Sequence, residues 1–305
     1  MVLPIFLIHD TLRYADRLMV MRRYAAIPYL FLAPYLAIFA FFWAWPIVRS
    51  IFLSFQNTRV NPWRFQLLVN WGRLLHDAAF LGAVKNTFLI LAVQVPVMLV
   101  LATLLALALN STLLRARGIF RFAFFAPVVV GEVAYSAVFR LIFNGQFGAM
   151  NGVLGFLHLP TPDWLNQPWT ATAVVITAVT WRWTGYNAII VLAGLQNIPG
   201  DLYEAAQVDG VPRWRQHLSI TLPLLRPVIL FALVLSLIGT MQLFAEPWLI
   251  TMGGPGNATE TLGTYLYRQG FTAMNFGYAA SVAYAVAAMA AAFSAIQIVL
   301  FGRRQ

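Results

Sequence analysis

The chain has 305 residues, 61% of them hydrophobic and only 10% charged, with a net charge of +10 and no cysteine. A soluble domain carries about 25% charged residues, so this composition excludes one and points to a lipid bilayer. The lack of cysteine excludes disulfides, thiolate chemistry and cysteine-held metals, and positive charges that flank apolar runs set membrane orientation rather than bind nucleic acid.

Residues 1–28 read as a cytoplasmic N-terminal segment. Met1–Ile8 is apolar but lacks a basic leader and a small-residue cleavage site, which argues against a cleaved signal peptide. Residues 10–23 fit an amphipathic helix. A simpler expectation is that translation starts at Met19 or Met21, just before Arg22-Arg23 and the apolar run from Tyr29.

About 20 apolar residues cross the hydrocarbon core, and by that measure six spans fall near 29–52, 86–109, 120–143, 171–195, 224–248 and 277–301. Span one is aromatic and ends near Trp45-Pro46. In the segment Ser54–Lys85 that follows, Trp63 and Trp71 sit at headgroup depth or meet a partner protein. Span two holds Gln94 and Pro96, and the carbonyl freed by the proline needs a donor from a neighbouring helix or water. The turn Asn110–Gly118 carries Arg115 and Arg117 as topology determinants.

Span three holds Glu132. An ionised carboxylate there costs about 2.5–3.5 kcal/mol, so Glu132 must face a cavity, be paired, or be protonated. A Gly/Asn-rich loop over Phe143–Leu154 and Asp163-Trp164 leads to span four, with Trp181, Arg182, Trp183, Tyr186 and Asn187. Aromatic rings stack on apolar sugar faces while Arg and Asn bond hydroxyls, which fits a carbohydrate site. The alternative is that the tryptophans face lipid and Arg182 snorkels, although it lies far from either interface.

The longest polar interruption of the second half is Glu204–Pro223. Asp201 reads as an N-cap with Glu204 as its capping-box partner, Gly210 ends that short helix, and Pro212 suits the first turn of the next. Glu204 on this reading is a capping residue. In span five, Ser236, Thr240 and Leu243 share one helical face, as packing contacts or as ligands. Span six is Ala-rich, as close helix packing favours, and stops at Arg303-Arg304.

An even number of spans puts both termini on one side. Twelve basic residues lie on that side against seven on the other, which makes it cytoplasmic and places Glu204–Pro223 in the cytoplasm.

The spacing of Glu204-Ala205-Ala206, Asp209-Gly210, Ile220 and Leu222-Pro223 resembles the "EAA" coupling loop of bacterial ABC-importer permeases. Thr251-x-Gly253-Gly254-Pro255 and Tyr265-x-Tyr267-x-x-x-Phe271 resemble the signature of carbohydrate-type permeases. From about residue 25 to the end, the chain is similar to the maltose/glycerol-3-phosphate-type sugar permease family. That resemblance implies an all-α membrane protein, with six transmembrane helices over 29–305 and a cytoplasmic helix-turn-helix coupling loop at 201–223. It implies a multi-pass protein of the bacterial inner (plasma) membrane. Its partners would be a second homologous permease subunit, two ATPase subunits that bind ATP and Mg, and an extracytoplasmic solute-binding protein. This chain itself would hold no cofactor.

The same resemblance assigns ATPase coupling to Glu204, Ala205, Ala206, Asp209, Gly210 and Pro223. It places contacts with a sugar-like solute at Glu132, Val179, Arg182, Trp183, Tyr186, Ser236, Thr240 and Leu243. Glu132, Arg182 and Trp183 depart from the family's character, which points to a sugar other than maltose or to a charged derivative. No phosphate-binding G-x-x-x-x-G-K-[ST] run exists, so the chain is a transporter subunit without its own ATPase site. The main alternative is a proton-coupled secondary transporter with Glu132 as relay, which has no need of the Glu204 loop. A membrane enzyme lacks support, since four scattered histidines and no cysteine form neither a metal cluster nor a nucleophile-base pair.

Overall fold

The computed structural model describes residues 26–111 and 114–302, and the chain divides into two units, 1–53 and 54–305. The helix expected over 10–23, and the basic residues Arg13, Arg17, Arg22, Arg23, Arg303 and Arg304, lie outside the described residues. The first unit contributes helix α1, Ile27–Ser54, which contains Pro34 and a π-helical turn at Ala40–Ala44.

The second unit opens with a two-stranded antiparallel hairpin, β1 Gln56–Asn57 and β2 Arg64–Phe65. Asn70 in α2, Val69–His76, donates to the carbonyls of Ser54 and Gln56 at 2.9 Å each and pins the hairpin to the helix. Next come α3, Ala78–Asn110, α4, Arg117–Val129, α5, Glu132–Ile142, and α6, Ala149–Phe156. They are followed by α7, Pro168–Gln196, α8, Asp201–Val208, α9, Arg213–Met241, α10, Leu262–Tyr267, and α11, Phe276–Gly302.

Among the described residues, four helices are long and apolar enough to cross a membrane, namely α1, α3, α9 and α11. Counting the bent pair α4 and α5 as one span makes five. The run near 120–143 is therefore not one straight helix: it bends by 96° between Val129 and Glu132. The break follows from backbone chemistry, because Pro127 weakens the preceding turn and Val130 and Gly131 are extended. Helix α7 is long enough to span, but the polar run from Thr180 to Asn187 dilutes its apolar character.

Helices α3 and α7 form the central pair. Buried small residues, Ala102 and Ala106 on α3 with Ala171, Ala178 and Ala188 on α7, let backbones approach closely, as membrane helices require. One core layer joins Ala106, Leu109, Val191, Leu195 and Leu225 of α3, α7 and α9. Another joins Phe80, Leu237, Met241, Tyr265, Tyr278 and Val282 of α3, α9, α10 and α11. Helix α4 crosses α7 at Gly185, where a Cβ would overlap the backbone carbonyl oxygen of Phe124.

One carboxylate fastens four helices. Asp77 caps α3 by accepting from the amides of Ala79 at 3.0 Å and Phe80 at 3.3 Å. The same side chain accepts from the phenols of Tyr265 on α10 at 2.8 Å and Tyr278 on α11 at 2.9 Å, and lies 3.5 Å from Arg73 of α2. Burial pushes this carboxyl up, but the two phenols and two amides together outweigh it and hold its pKa below the ordinary carboxylate range. Between α9 and α10, the segment 242–261 folds over the start of α3. Asn86 donates to the carbonyls of Asn257 and Glu260, and the Thr87 hydroxyl accepts from the amide of Leu262.

Two outcomes follow from this packing. Gly185→Ala should destabilise the solubilised protein by about 1–3 kcal/mol in thermal unfolding, since the helices must separate to admit a methyl group. Gly82→Ala, with open space around it, should not. The second concerns pH. A carboxyl whose folded pKa is depressed stabilises the fold above its unfolded pKa of about 3.9 and loses that contribution as pH falls through the folded value. The stability gap between the natural protein and Asp77→Asn should thus be full at neutral pH and shrink below about pH 4, as read by melting curves across pH.

Candidate functional site

A cavity of about 390 Å³ opens among α3, α5, α7 and the end of α9. The bend after Val129 makes Glu132 the first residue of α5, where unpaired backbone amides and the helix dipole favour an anion. Its side chain stays 54% exposed and lines the cavity. On α7, Trp183 and Tyr186 line it with rings edge to face at 5.7 Å. From α9 and the turn beyond it come Ser236, Thr240, Leu243 and Glu246.

The eight side chains assigned to solute contact divide plainly. Glu132, Val179, Trp183, Tyr186, Ser236, Thr240 and Leu243 all line the one cavity, while Arg182 does not. The Arg182 guanidinium is buried behind the wall, with Nη2 3.4 Å from Glu132 Oε1. Its carbon lies 4.8 Å from the Tyr135 ring centroid and 5.6 Å from that of Trp183. Nε and Nη1 meet no hydrogen-bond acceptor. The side chain expected to contact sugar thus stands behind the wall, against Glu132 and the Trp183 ring. Snorkelling is also set aside, because the head group is enclosed by protein.

Trp181 corrects a further expectation. It is half-exposed and packs against Tyr135 and Phe139 at 6.0 and 5.6 Å, so the aromatic pair of the cavity is Trp183 and Tyr186. Asn187, expected in the site from span four, lines the cavity and donates to the Trp183 carbonyl at 3.0 Å. Other groups enter that the pattern of span four did not single out: Gln94 of α3 accepts from Thr240 at 3.3 Å. Glu246, buried, accepts a short hydrogen bond from the Tyr135 hydroxyl. Gln94 and Glu246 are polar residues inside apolar runs, the signal that could have found them. Among the described residues no three His, Asp or Glu side chains converge as a metal-binding group.

The second set of assigned residues lies at the opposite end of α9. Helix α8 begins at Asp201 itself, because the Gly200 carbonyl accepts from Tyr203 and Glu204 at 2.8 and 3.1 Å. Asp201 therefore makes no side-chain cap, and the capping box expected with Glu204 does not form. Gly210 reverses the chain at φ +71°, with its amide on the Gln207 carbonyl and that of Val211 on Ala206, the two bonds of a Schellman stop. Pro212 precedes α9 as its N-cap, one residue earlier than expected, and α9 then runs unbroken past Pro223.

Two braces hold the reversal. Gln216, buried, donates to the Val211 carbonyl at 2.8 Å, and the Tyr203 hydroxyl meets that of Thr221 at 2.9 Å. Glu204, Ala205, Asp209, Gly210 and Pro223 are exposed, whereas Ala206 is buried against the turn. Leu202, Val208, Trp214 and Leu218 are exposed beside them, with Val208 88% accessible. An apolar ridge of this kind marks a contact surface.

Comparisons with known proteins bear on this arrangement. The family model described as "Binding-protein-dependent transport system inner membrane component" matches residues 75–303. The chain is 43% identical over 282 residues to the lactose transport system permease protein LacF of Rhizobium radiobacter, covering 90% of this chain and 94% of that one. It is 36% identical over 283 residues to the arabinooligosaccharides transport system permease protein AraP of Bacillus subtilis, covering 91% and 89%. A solved bacterial ABC transporter involved in import of the acidic polysaccharide alginate shares the fold, with a TM-score of 0.83 at 23% identity, over 95% of this chain and 99% of that one.

These matches overturn the alternative of a proton-coupled secondary transporter, since both relatives are permease proteins of dedicated transport systems. With the family model spanning most of its length and two relatives above 30% identity over about nine-tenths of it, the chain belongs to the binding-protein-dependent transport system inner membrane components.

Proposed function

We propose that this chain is the membrane-spanning permease subunit of an ATP-driven ABC importer for a sugar or sugar derivative. It would form part of the translocation path and couple it to separate ATPase subunits. The observation that carries the reading is the cavity itself. Two perpendicular rings stand beside hydroxyl, amide and carboxylate groups in one hollow between helices, the combination that suits a polyhydroxylated solute. The relatives named for lactose and for arabinooligosaccharides support the same class.

Six spans follow if α7 joins α1, α3, the bent pair α4/α5, α9 and α11. Helix α7 packs against α3, α4 and α9, so its polar residues meet protein rather than lipid. Both termini then lie in the cytoplasm of a bacterium, with the chain in the plasma membrane. The assembly would include a second homologous permease, two ATPase subunits holding ATP and Mg, and a solute-binding protein outside. This chain would have no ATPase site of its own.

Helix α9 supplies the mechanical link. It starts just after the reversal at Gly210 and, about 35 Å further along at 1.5 Å per residue, carries Ser236 and Thr240 of the cavity wall. Closure of the ATPase dimer on α8 would press the turn, and the Gln216 and Tyr203 braces would pass that movement to α9. The cavity would then change the side to which it opens, as a two-state element biased by nucleotide at one end and solute at the other.

The test is reconstitution of the assembled importer in proteoliposomes, with ATP-dependent uptake of radiolabelled lactose and arabinooligosaccharides as the readout. Uptake that persists without ATP would reject the reading. Glu204→Lys with Gly210→Pro should abolish uptake while the chain remains in the membrane, because proline fixes φ near −65° where the turn needs +71°. Unchanged uptake in that variant would remove the coupling assignment. Trp183→Ala should lower uptake roughly tenfold, the factor that corresponds to about 1.4 kcal/mol of lost ring contact.

A further inference from the structure

We infer that the cavity selects against anions, so that the solute it takes is an uncharged saccharide, with Glu132 and Glu246 as the selectivity determinants. Calling the occupant a transported solute rests on the transport reading above; the charge selection rests on the cavity alone. Two carboxylates line the hollow, and no lysine or arginine does. The nearby cation is Arg182, which stands behind the wall against the Tyr135 and Trp183 rings and pairs with Glu132.

Tyr135 ties these groups into one cluster: its ring faces the guanidinium and its hydroxyl holds Glu246. The guanidinium pairs with Glu132, and the phenol holds the buried Glu246. Glu132 remains half-exposed, so its free acceptor capacity points to the occupant rather than to the protein. The other polar groups on the wall, Gln94, Tyr186, Asn187, Ser236, Thr240 and Gln242, are neutral.

A carboxylate accepts hydrogen bonds and donates none. Sugar hydroxyls can donate to it in charge-assisted bonds, while the ring face lies on Trp183 or Tyr186. A solute carboxylate or sulfonate in the same place brings lone pairs against lone pairs and like charge against like charge, in a partly desolvated hollow where such repulsion is strong. This decides between the two classes that span four leaves open, a neutral sugar and a charged derivative, against the anionic one. The solved structure with the same fold belongs to an importer of an acidic polysaccharide, so the architecture does not set this preference and the side chains must.

The absence of cysteine makes the test direct. Ser236→Cys puts the chain's single thiol on the cavity wall. In the assembled transporter in nanodiscs, its modification by neutral hydroxyethyl, cationic trimethylammonioethyl and anionic sulfonatoethyl methanethiosulfonate is followed by mass spectrometry of this chain. Each rate is normalised to that of the same reagent with a small free thiol. The anionic reagent should react roughly tenfold more slowly than the neutral one, and the cationic reagent faster. Adding Glu132→Gln and Glu246→Gln, which keep shape and acceptor atoms, should close the gap, and each alone should close part of it.

Equal normalised rates for the neutral and anionic reagents would overturn the inference. So would a gap that survives the double substitution, or a thiol that the neutral reagent cannot reach. A gap that closes as expected supports charge selection even where ATP-driven uptake of lactose fails, and that failure counts against the transport reading alone.

Discussion

A charged side chain buried among apolar helices must find its partners inside the protein, and the arrangement around Arg182 is the consequence. The guanidinium lies between aromatic faces and against one carboxylate, and that carboxylate is available only because the preceding helix breaks at Gly131 and starts again at Glu132. A straight helix would carry Glu132 in mid-span, without the amides and dipole that a helix start offers an anion. The broken span, the buried cation and the acid-lined hollow are one solution to one electrostatic problem. Each element of it would be costly without the others.

The same economy of polar groups appears at the far end of α3. Asp77 caps one helix and receives phenols from two others, and Tyr265, the first aromatic of the Tyr-x-Tyr-x-x-x-Phe pattern, is one of them. Tyr267 of that pattern packs at 5.0 Å from Phe244 and Trp248, in the aromatic cluster just beyond the cavity wall. The Thr251-to-Pro255 stretch is closed by a hydrogen bond between the hydroxyls of Thr251 and Thr259 and by Thr259 donating to the Gly254 carbonyl. These signature residues hold the starts of α3 and α11 and the short helix α10 together beside the cavity. Glu260, in the same segment, has its carboxyl pushed up by burial and is opposed by Arg268 at 2.9 Å.

On the proposed reading, α9 is the element that carries movement. Its cavity end is enclosed, while its other end stands out with α8 as an exposed apolar ridge behind a glycine stop. Force applied there has one continuous helix to travel along, and the π-helical turn at His217–Thr221, braced by Tyr203, sits at the base of that lever. Function on this view divides between a rigid frame that shapes the hollow and a single rod that reports on it.

Much of this was legible from residue order, because membrane burial leaves a strong and simple mark. Apolar length located α1, α3, α9 and α11 among the described residues, basic asymmetry pointed to an orientation, and Gly210 announced a reversal since only glycine adopts that left-handed turn without strain. Glu132 and Arg182 stood out as charges in apolar sequence, and Trp183, Tyr186, Ser236 and Thr240 as aromatic or polar positions within apolar runs. Three things depended on tertiary structure. Span three breaks because Pro127 and Gly131 permit a bend that the pairing of Glu132 with Arg182 then occupies, and no local pattern specifies that pairing. Arg182 turns to the back of the wall and Trp181 away from it, since neighbouring α7 residues point about 100° apart and only the packed neighbours decide which direction is the cavity. Gln94 and Glu246, 152 positions apart, meet at one hollow only because α3 and the end of α9 are folded against each other. Composition and periodicity thus determined which segments enter the membrane and which residues are too polar to face lipid; three-dimensional packing alone determined which of those residues face each other, because that depends on partners distant in the chain.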